Sequence, residues 1–90
     1  MAEVRDNIER HRFELDADGH TAYSNYRRDD AILTIMHTEV PDELHGRGIG
    51  SALARGLLDI ARAQKLKVVP LCPFVAGYIA KHPEYADLLR

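Results

Sequence analysis

The chain has 90 residues, 46% of them hydrophobic and 29% charged, with a formal net charge of −2. That length holds one domain with a modest core, removing roughly 60–65% of the unfolded surface from water. The charge balance excludes the basic stripe of a nucleic-acid or anionic-membrane binder, and the single cysteine, Cys72, excludes an internal disulfide.

Residues 1–11 are polar and read as a loose lead-in to a single domain over 12–90. Arg12 to Leu15 alternates as a strand does, and Asp16 to Gly19 supplies a turn with a glycine for the positive-φ position. His20 to Tyr26, with Thr21, Tyr23 and Tyr26, predicts a second strand closed by Arg27 to Asp30. Ala31 to Val40 is the most apolar strand candidate and belongs centrally in the sheet. Short connections between these strands predict an antiparallel meander.

The periodicity then changes. Ile49, Leu53, Leu57 and Ile60 recur at helical spacing, with Arg55, Asp59 and Arg62 off that stripe, which predicts a helix to about Gln64. Lys67 to Leu71 is a short buried strand, so strand, helix and strand form a right-handed parallel crossover. A second helix spans Val75 to Lys81. Pro83 stops it, and Glu84 to Leu89 forms a last helical turn. The fold class is therefore α/β: a mixed, mostly antiparallel sheet with one parallel βαβ crossover and two to three helices. No apolar run reaches membrane-span length and Met1 to Asn7 is too polar for a signal peptide, so a cytoplasmic protein is expected.

Chemistry concentrates between the third strand and the first helix, at Val40-Pro41-Asp42-Glu43-Leu44-His45-Gly46-Arg47-Gly48-Ile49-Gly50-Ser51. Glycines let a ligand approach the backbone closely, and the free amides at a helix start carry the positive end of its dipole. This is a site for a phosphate or pyrophosphate. It is not a P-loop, because Gly50-Ser51-Ala52 lacks the lysine. Nor is it a dinucleotide fold, whose glycine spacing and paired halves do not fit 90 residues.

The stretch His45-Gly46-Arg47-Gly48-Ile49-Gly50 resembles the acetyl-coenzyme-A signature of GNAT-type N-acetyltransferases, Gln/Arg-x-x-Gly-x-Gly/Ala, with His45 at the first position. Over roughly residues 12–89 the chain is similar to the minimal single-domain members of that family. Their other recurring elements stand here as His37-Thr38-Glu39-Val40-Pro41, Pro70-Leu71-Cys72-Pro73-Phe74 and Lys81-His82-Pro83-Glu84-Tyr85. The resemblance implies a minimal GNAT-like fold and an acyltransferase that moves an acetyl group from acetyl-coenzyme A to an amine, small molecule or protein. The other implied reading is a non-catalytic coenzyme A sensor or interaction module. The net charge of −2, the lack of zinc-ligand spacing around Cys72 and the lack of a long apolar run give no sign of a nucleic-acid, metal or membrane partner.

The resemblance also implies site residues. Amides from Gly46 through Ser51, with Arg47, Gly48, Ile49 and Gly50 between them, face the pyrophosphate, and the Val40 backbone pairs with the pantetheine arm as a strand would. His45 departs from the signature's Gln or Arg, and a histidine there is expected to tune affinity with pH while the backbone amides do most of the binding. Arg47 either pairs with a phosphate or is a solvated arginine. Cys72 stands at the carboxyl end of the parallel pair, as a nucleophile, a pocket wall or a core thiol; nucleophilic work needs thiolate. Glu39 is a candidate general base for the acceptor amine. Tyr78 is a candidate proton donor to the departing thiolate, or a core-packing ring.

Overall fold

The computed structural model describes residues 3–90 and contains five strands and two α-helices: β1 (Arg5–Asn7), β2 (Arg12–Ala17), β3 (His20–Asp29), β4 (Ile32–Glu39), α1 (Ile49–Ala63), β5 (Lys67–Pro70) and α2 (Pro73–Lys81). Short 3₁₀ turns cover Asp42–Leu44 and Pro83–Leu88. The strand order follows the chain, β1-β2-β3-β4-β5; the first four are antiparallel and β4 pairs with β5 in parallel. The expected meander and crossover are both present. β3 is the middle strand, and β4 lies inside the sheet between β3 and β5.

One expectation needs correction. Part of the lead-in over residues 1–11 is ordered, because Arg5 to Asn7 adds an edge strand to β2. Met1 and Ala2 lie outside the described residues. The sequence of β1 has no apolar alternation. Side-chain pairs hold it instead: Arg5 donates to Glu14 at 2.6 Å and to Asp16 at 2.7 Å, and Tyr26 donates its hydroxyl to Asp6 at 2.6 Å. Glu14 is buried on the sheet face opposite Phe13 and Leu15, where Asn7 and Arg12 also donate to it.

The β2–β3 hairpin closes on two residues, Asp18 and Gly19, at φ 49° and 79°. Two left-handed residues in a tight loop suit the twist of the strands they join. β3 runs on through Arg27 to Asp29, the residues expected to close it, because Ile32 to Thr34 continue the ladder opposite them.

α1 turns Ile49, Leu53, Ala54, Leu57, Leu58 and Ala61 into the core, each leucine contributing about 1.5–3 kcal/mol of transfer free energy. The helix ends in a left-handed Lys65, with the Leu66 amide returning to the Ala61 carbonyl at 2.9 Å. Those side chains meet Phe13, Leu15, Leu33, Ile35, Val68, Val75 and Ile79 in one cluster. α2 starts two residues earlier than the sequence predicts, at Pro73, whose missing amide and fixed φ suit the first helical position.

Candidate functional site

β4 and β5 part company at the site. Their ladder ends at Ile35 opposite Pro70, and the amides of Leu71 and Cys72 both turn onto the Ile35 carbonyl. A bulge places Met36 outside the β3 register, and β4 continues to Glu39 with β3 on one side and no strand on the other. Bulges of this kind bend a strand and redirect its side chains.

Pro41 then leads into the Asp42–Leu44 turn, which buries Leu44 and aims the chain back toward α1. Gly46 and Gly48 take left-handed φ values of 79° and 72°, and a Cβ built on either meets nothing within 4 Å. At Gly50 the requirement differs: a Cβ would stand 2.8 Å from the Phe74 ring. No side chain caps α1 and no acid occupies its first turn. The amides of Ile49, Gly50 and Ser51 have no protein acceptor among the described residues. A helix start left this way attracts an anion.

An open cavity of about 550 Å³ lies between the free edge of β4 and this turn. Val40, His45, Gly46, Gly48, Ile49, Gly50 and Ser51 line it, together with His37, Thr38, Glu39, Leu44 and Phe74. Arg47 is the exception among the residues singled out in the turn: it pairs with Asp18 in the β2–β3 hairpin. The His45 ring folds back onto the strand end, its Nε2 2.9 Å from the Val40 carbonyl.

The three catalytic candidates are not brought together. Glu39 lines the cavity, and its Oε2 is 2.7 Å from His37 Nε2. Their spacing of two on a strand puts both side chains on one face, a signal for the pair that the sequence does contain. Cys72 is 3% exposed, caps the start of α2 and belongs to the core. Its Sγ donates to Thr38 Oγ1 at 3.2 Å, and Thr38 is 2.7 Å from Ser24 Oγ. The thiol therefore reaches the cavity only through the Thr38 hydroxyl.

Tyr78 lies elsewhere, in a second cavity of about 270 Å³ lined by Ser51, Pro73, Phe74, Gly77, Lys81 and His82. Its ring stacks on His82 at 3.9 Å. Burial pushes its phenol pKa up, against the pull of the Arg55 charge. Phe74 and Ser51 border both cavities, and the Phe74 ring over Gly50 stands between them. Among the described residues no cluster of His, Cys, Asp and Glu suits a metal ion, and no helix is long and apolar enough to cross a membrane.

Comparison with known proteins agrees with this architecture. The sequence model of the family described as GCN5-related N-acetyl-transferase matches residues 12–88. Protein NATD1 of Mus musculus is 38% identical over 61 residues, 66% of this chain and 56% of that protein. Protein NATD1 of Homo sapiens has the same identity over the same length, 54% of its own chain. The chain thus spans about half the length of these curated relatives. The solution structure of a GCN5-like protein from Staphylococcus aureus superposes with a TM-score of 0.73 at 30% identity, covering 98% of this chain and 87% of that one. A matched family model over most of the sequence and a shared fold over nearly all of it place the chain in the GCN5-related N-acetyltransferase family.

Proposed function

We propose that this chain binds acetyl-coenzyme A at the glycine turn and passes its acetyl group to an amine. The start of α1 carries the reading: unpaired amides at Ile49, Gly50 and Ser51, no acid beside them, and open space where side chains on Gly46 and Gly48 would stand. These donors suit a pyrophosphate. The unpaired edge of β4 from His37 to Glu39, continuing to Val40, suits the amides of a pantetheine arm.

When bound, acetyl-coenzyme A supplies an activated thioester carbonyl. The chain contributes position and proton handling. Glu39, paired with His37, takes the proton that an acceptor amine must lose before it attacks. The amides at the cavity wall stabilise charge developing on the carbonyl oxygen. Cys72 acts at one remove, holding the Thr38 hydroxyl. Release of free thiol from acetyl-coenzyme A in the presence of a panel of amines tests the reading. Turnover that falls at least 10-fold in Glu39→Gln is the expected result, about 1.4 kcal/mol in the barrier.

A second reading is a coenzyme-A-binding module without turnover. The burial of Cys72 and the placement of Tyr78 behind Phe74 favour it, because neither candidate faces the main cavity. Tight binding with no thiol release on any amine would select this reading.

A further inference from the structure

We propose that Thr38 is a catalytic residue whose hydroxyl donates a hydrogen bond to the departing thiolate, with Ser24 and Cys72 as positioning residues that turn it into the cavity. The inference rests on the reading above, since the sulfur belongs to the bound acetyl-coenzyme A.

Strand phase brings the three side chains together. Leu33 and Ile35 face the core, and strict alternation would send His37 inward after them. The extra residue at the β4 bulge resets the alternation, so Thr38 stands opposite Ser24 and reaches Cys72 instead. His37 and Glu39 turn to the other face, yet His37, Thr38 and Glu39 all line the cavity at the free strand edge.

A count of hydrogens fixes the direction of the Thr38 hydroxyl. Ser24 is fully buried, and Thr38 Oγ1 at 2.7 Å is the acceptor that its hydrogen has among the described residues. Were Thr38 the donor, the Ser24 hydrogen would stay buried without a partner, at the full cost of its desolvation. The Cys72 thiol donates to the same oxygen at 3.2 Å. A threonine hydroxyl has two lone pairs and one hydrogen. Both lone pairs are taken, so the hydrogen is what Thr38 has left to offer the cavity.

The reaction has a place for that donor. The amine nitrogen forms the new C–N bond and its proton passes to Glu39; the C–S bond breaks and its electron pair stays on sulfur. Neighbouring residues of a strand point to opposite faces, so Glu39 meets the amine from one side of the β4 edge and Thr38 meets the sulfur from the other. Tyr78, in the second cavity behind Phe74, does not face this sulfur. A hydrogen bond to a charged acceptor is roughly twice as strong as one to a neutral acceptor, so the contact favours departure over the bound thioester. Thr38 keeps its proton, because an alcohol is a far weaker acid than a thiol, and solvent protonates the thiolate on release.

Turnover and coenzyme A binding in Thr38→Val and Thr38→Ser test this. Thr38→Val is expected to lower kcat by about 10-fold or more while coenzyme A affinity stays within a factor of about three, and Thr38→Ser to recover most of the loss. Ser24→Ala keeps the donor but frees its direction, and should lower kcat by less with affinity unchanged. A second readout needs no acceptor: ultraviolet titration of bound coenzyme A against bound desulfo-coenzyme A reports the ratio of thiolate to thiol. That ratio is expected to fall about 10-fold in Thr38→Val at a given pH. If Thr38→Val folds poorly because Ser24 loses its acceptor, combining it with Ser24→Ala removes both partners and carries the same expectations. An unchanged kcat or an unchanged thiolate ratio overturns the donor while the coenzyme reading stands. Where the parent binds coenzyme A without turnover, the thiolate ratio alone decides. Failure of the parent to bind coenzyme A at millimolar concentration overturns that reading and the donor together.

Discussion

The Cys72 thiol donates its hydrogen bond to Thr38 Oγ1 at 3.2 Å, so the one thiol of the chain is turned into the core and touches the cavity through a hydroxyl. Native protein is therefore expected to resist iodoacetamide, and denatured protein to react at the rate of a free thiol. Cys72→Ala should cost about 1–2 kcal/mol of stability. Activity per folded molecule should fall less than 10-fold, because Thr38 keeps its bond to Ser24 at 2.7 Å. Rapid alkylation of the native protein, blocked by acetyl-coenzyme A, would return the thiol to a direct chemical role.

Gly56 is the second test. In a helix interior, replacing glycine with alanine ordinarily gains about 0.5–1 kcal/mol. Here a Cβ would stand 2.2 Å from Val4 Cγ2 and 2.6 Å from Val4 Cβ, so the segment leading into β1 must move. Gly56→Ala should therefore destabilise the fold by about 1–3 kcal/mol, and Val4→Ala in the same chain should recover part of the loss. Urea unfolding measures both; a stabilised Gly56→Ala would show that the N-terminal segment does not pack across α1.

Glu14 governs the acid limb. Burial alone would push its carboxyl pKa up, but hydrogen bonds from Arg12, Asn7 and Arg5 outweigh that and hold it below the ordinary 4.5. A depressed folded-state pKa means the unfolded chain binds the proton more readily. The contribution is then complete above pH 4.5 and is lost as pH falls through the folded value. Asp16 and Asp87 are lowered by Arg5 and Arg62 and act with the same sign. Glu14→Gln should cost roughly 1.5–3 kcal/mol at neutral pH and flatten the fall in stability as pH drops below 4.5. A variant with the parent's acid slope would assign that slope to other groups.

Periodicity made most of the fold legible. Leu53 and Leu57 announced α1, alternation announced β2, Thr21, Tyr23 and Tyr26 announced β3, the apolar run from Ala31 announced β4, and Pro83 announced the end of α2. β1 was hidden because Arg5, Asp6 and Asn7 carry no apolar pattern and are held by charges whose partners are far away in sequence. The glycine turn was legible too, since positive φ at Gly46 and Gly48 is written in the residue type. The roll of α2 was not. Whether Cys72, Phe74 or Tyr78 faces the main cavity depends on how that helix packs against β4 and α1, which spacing along one helix does not determine. The pairing of Arg47 with Asp18 depends likewise on the hairpin lying beside the turn.

The central claim is that coenzyme A binds the turn that opens α1. Thermal unfolding with and without coenzyme A tests it most directly, alongside Gly48→Val, whose side chain would occupy open space at the cavity and strain a φ of 72°. At 100 times the dissociation constant, linkage adds about 2.7 kcal/mol. For a domain of this size that is a rise of roughly 10–20 °C in melting temperature. The account predicts such a rise in the parent and its loss in a Gly48→Val protein that still unfolds cooperatively. An unchanged melting temperature of the parent at millimolar coenzyme A would contradict it.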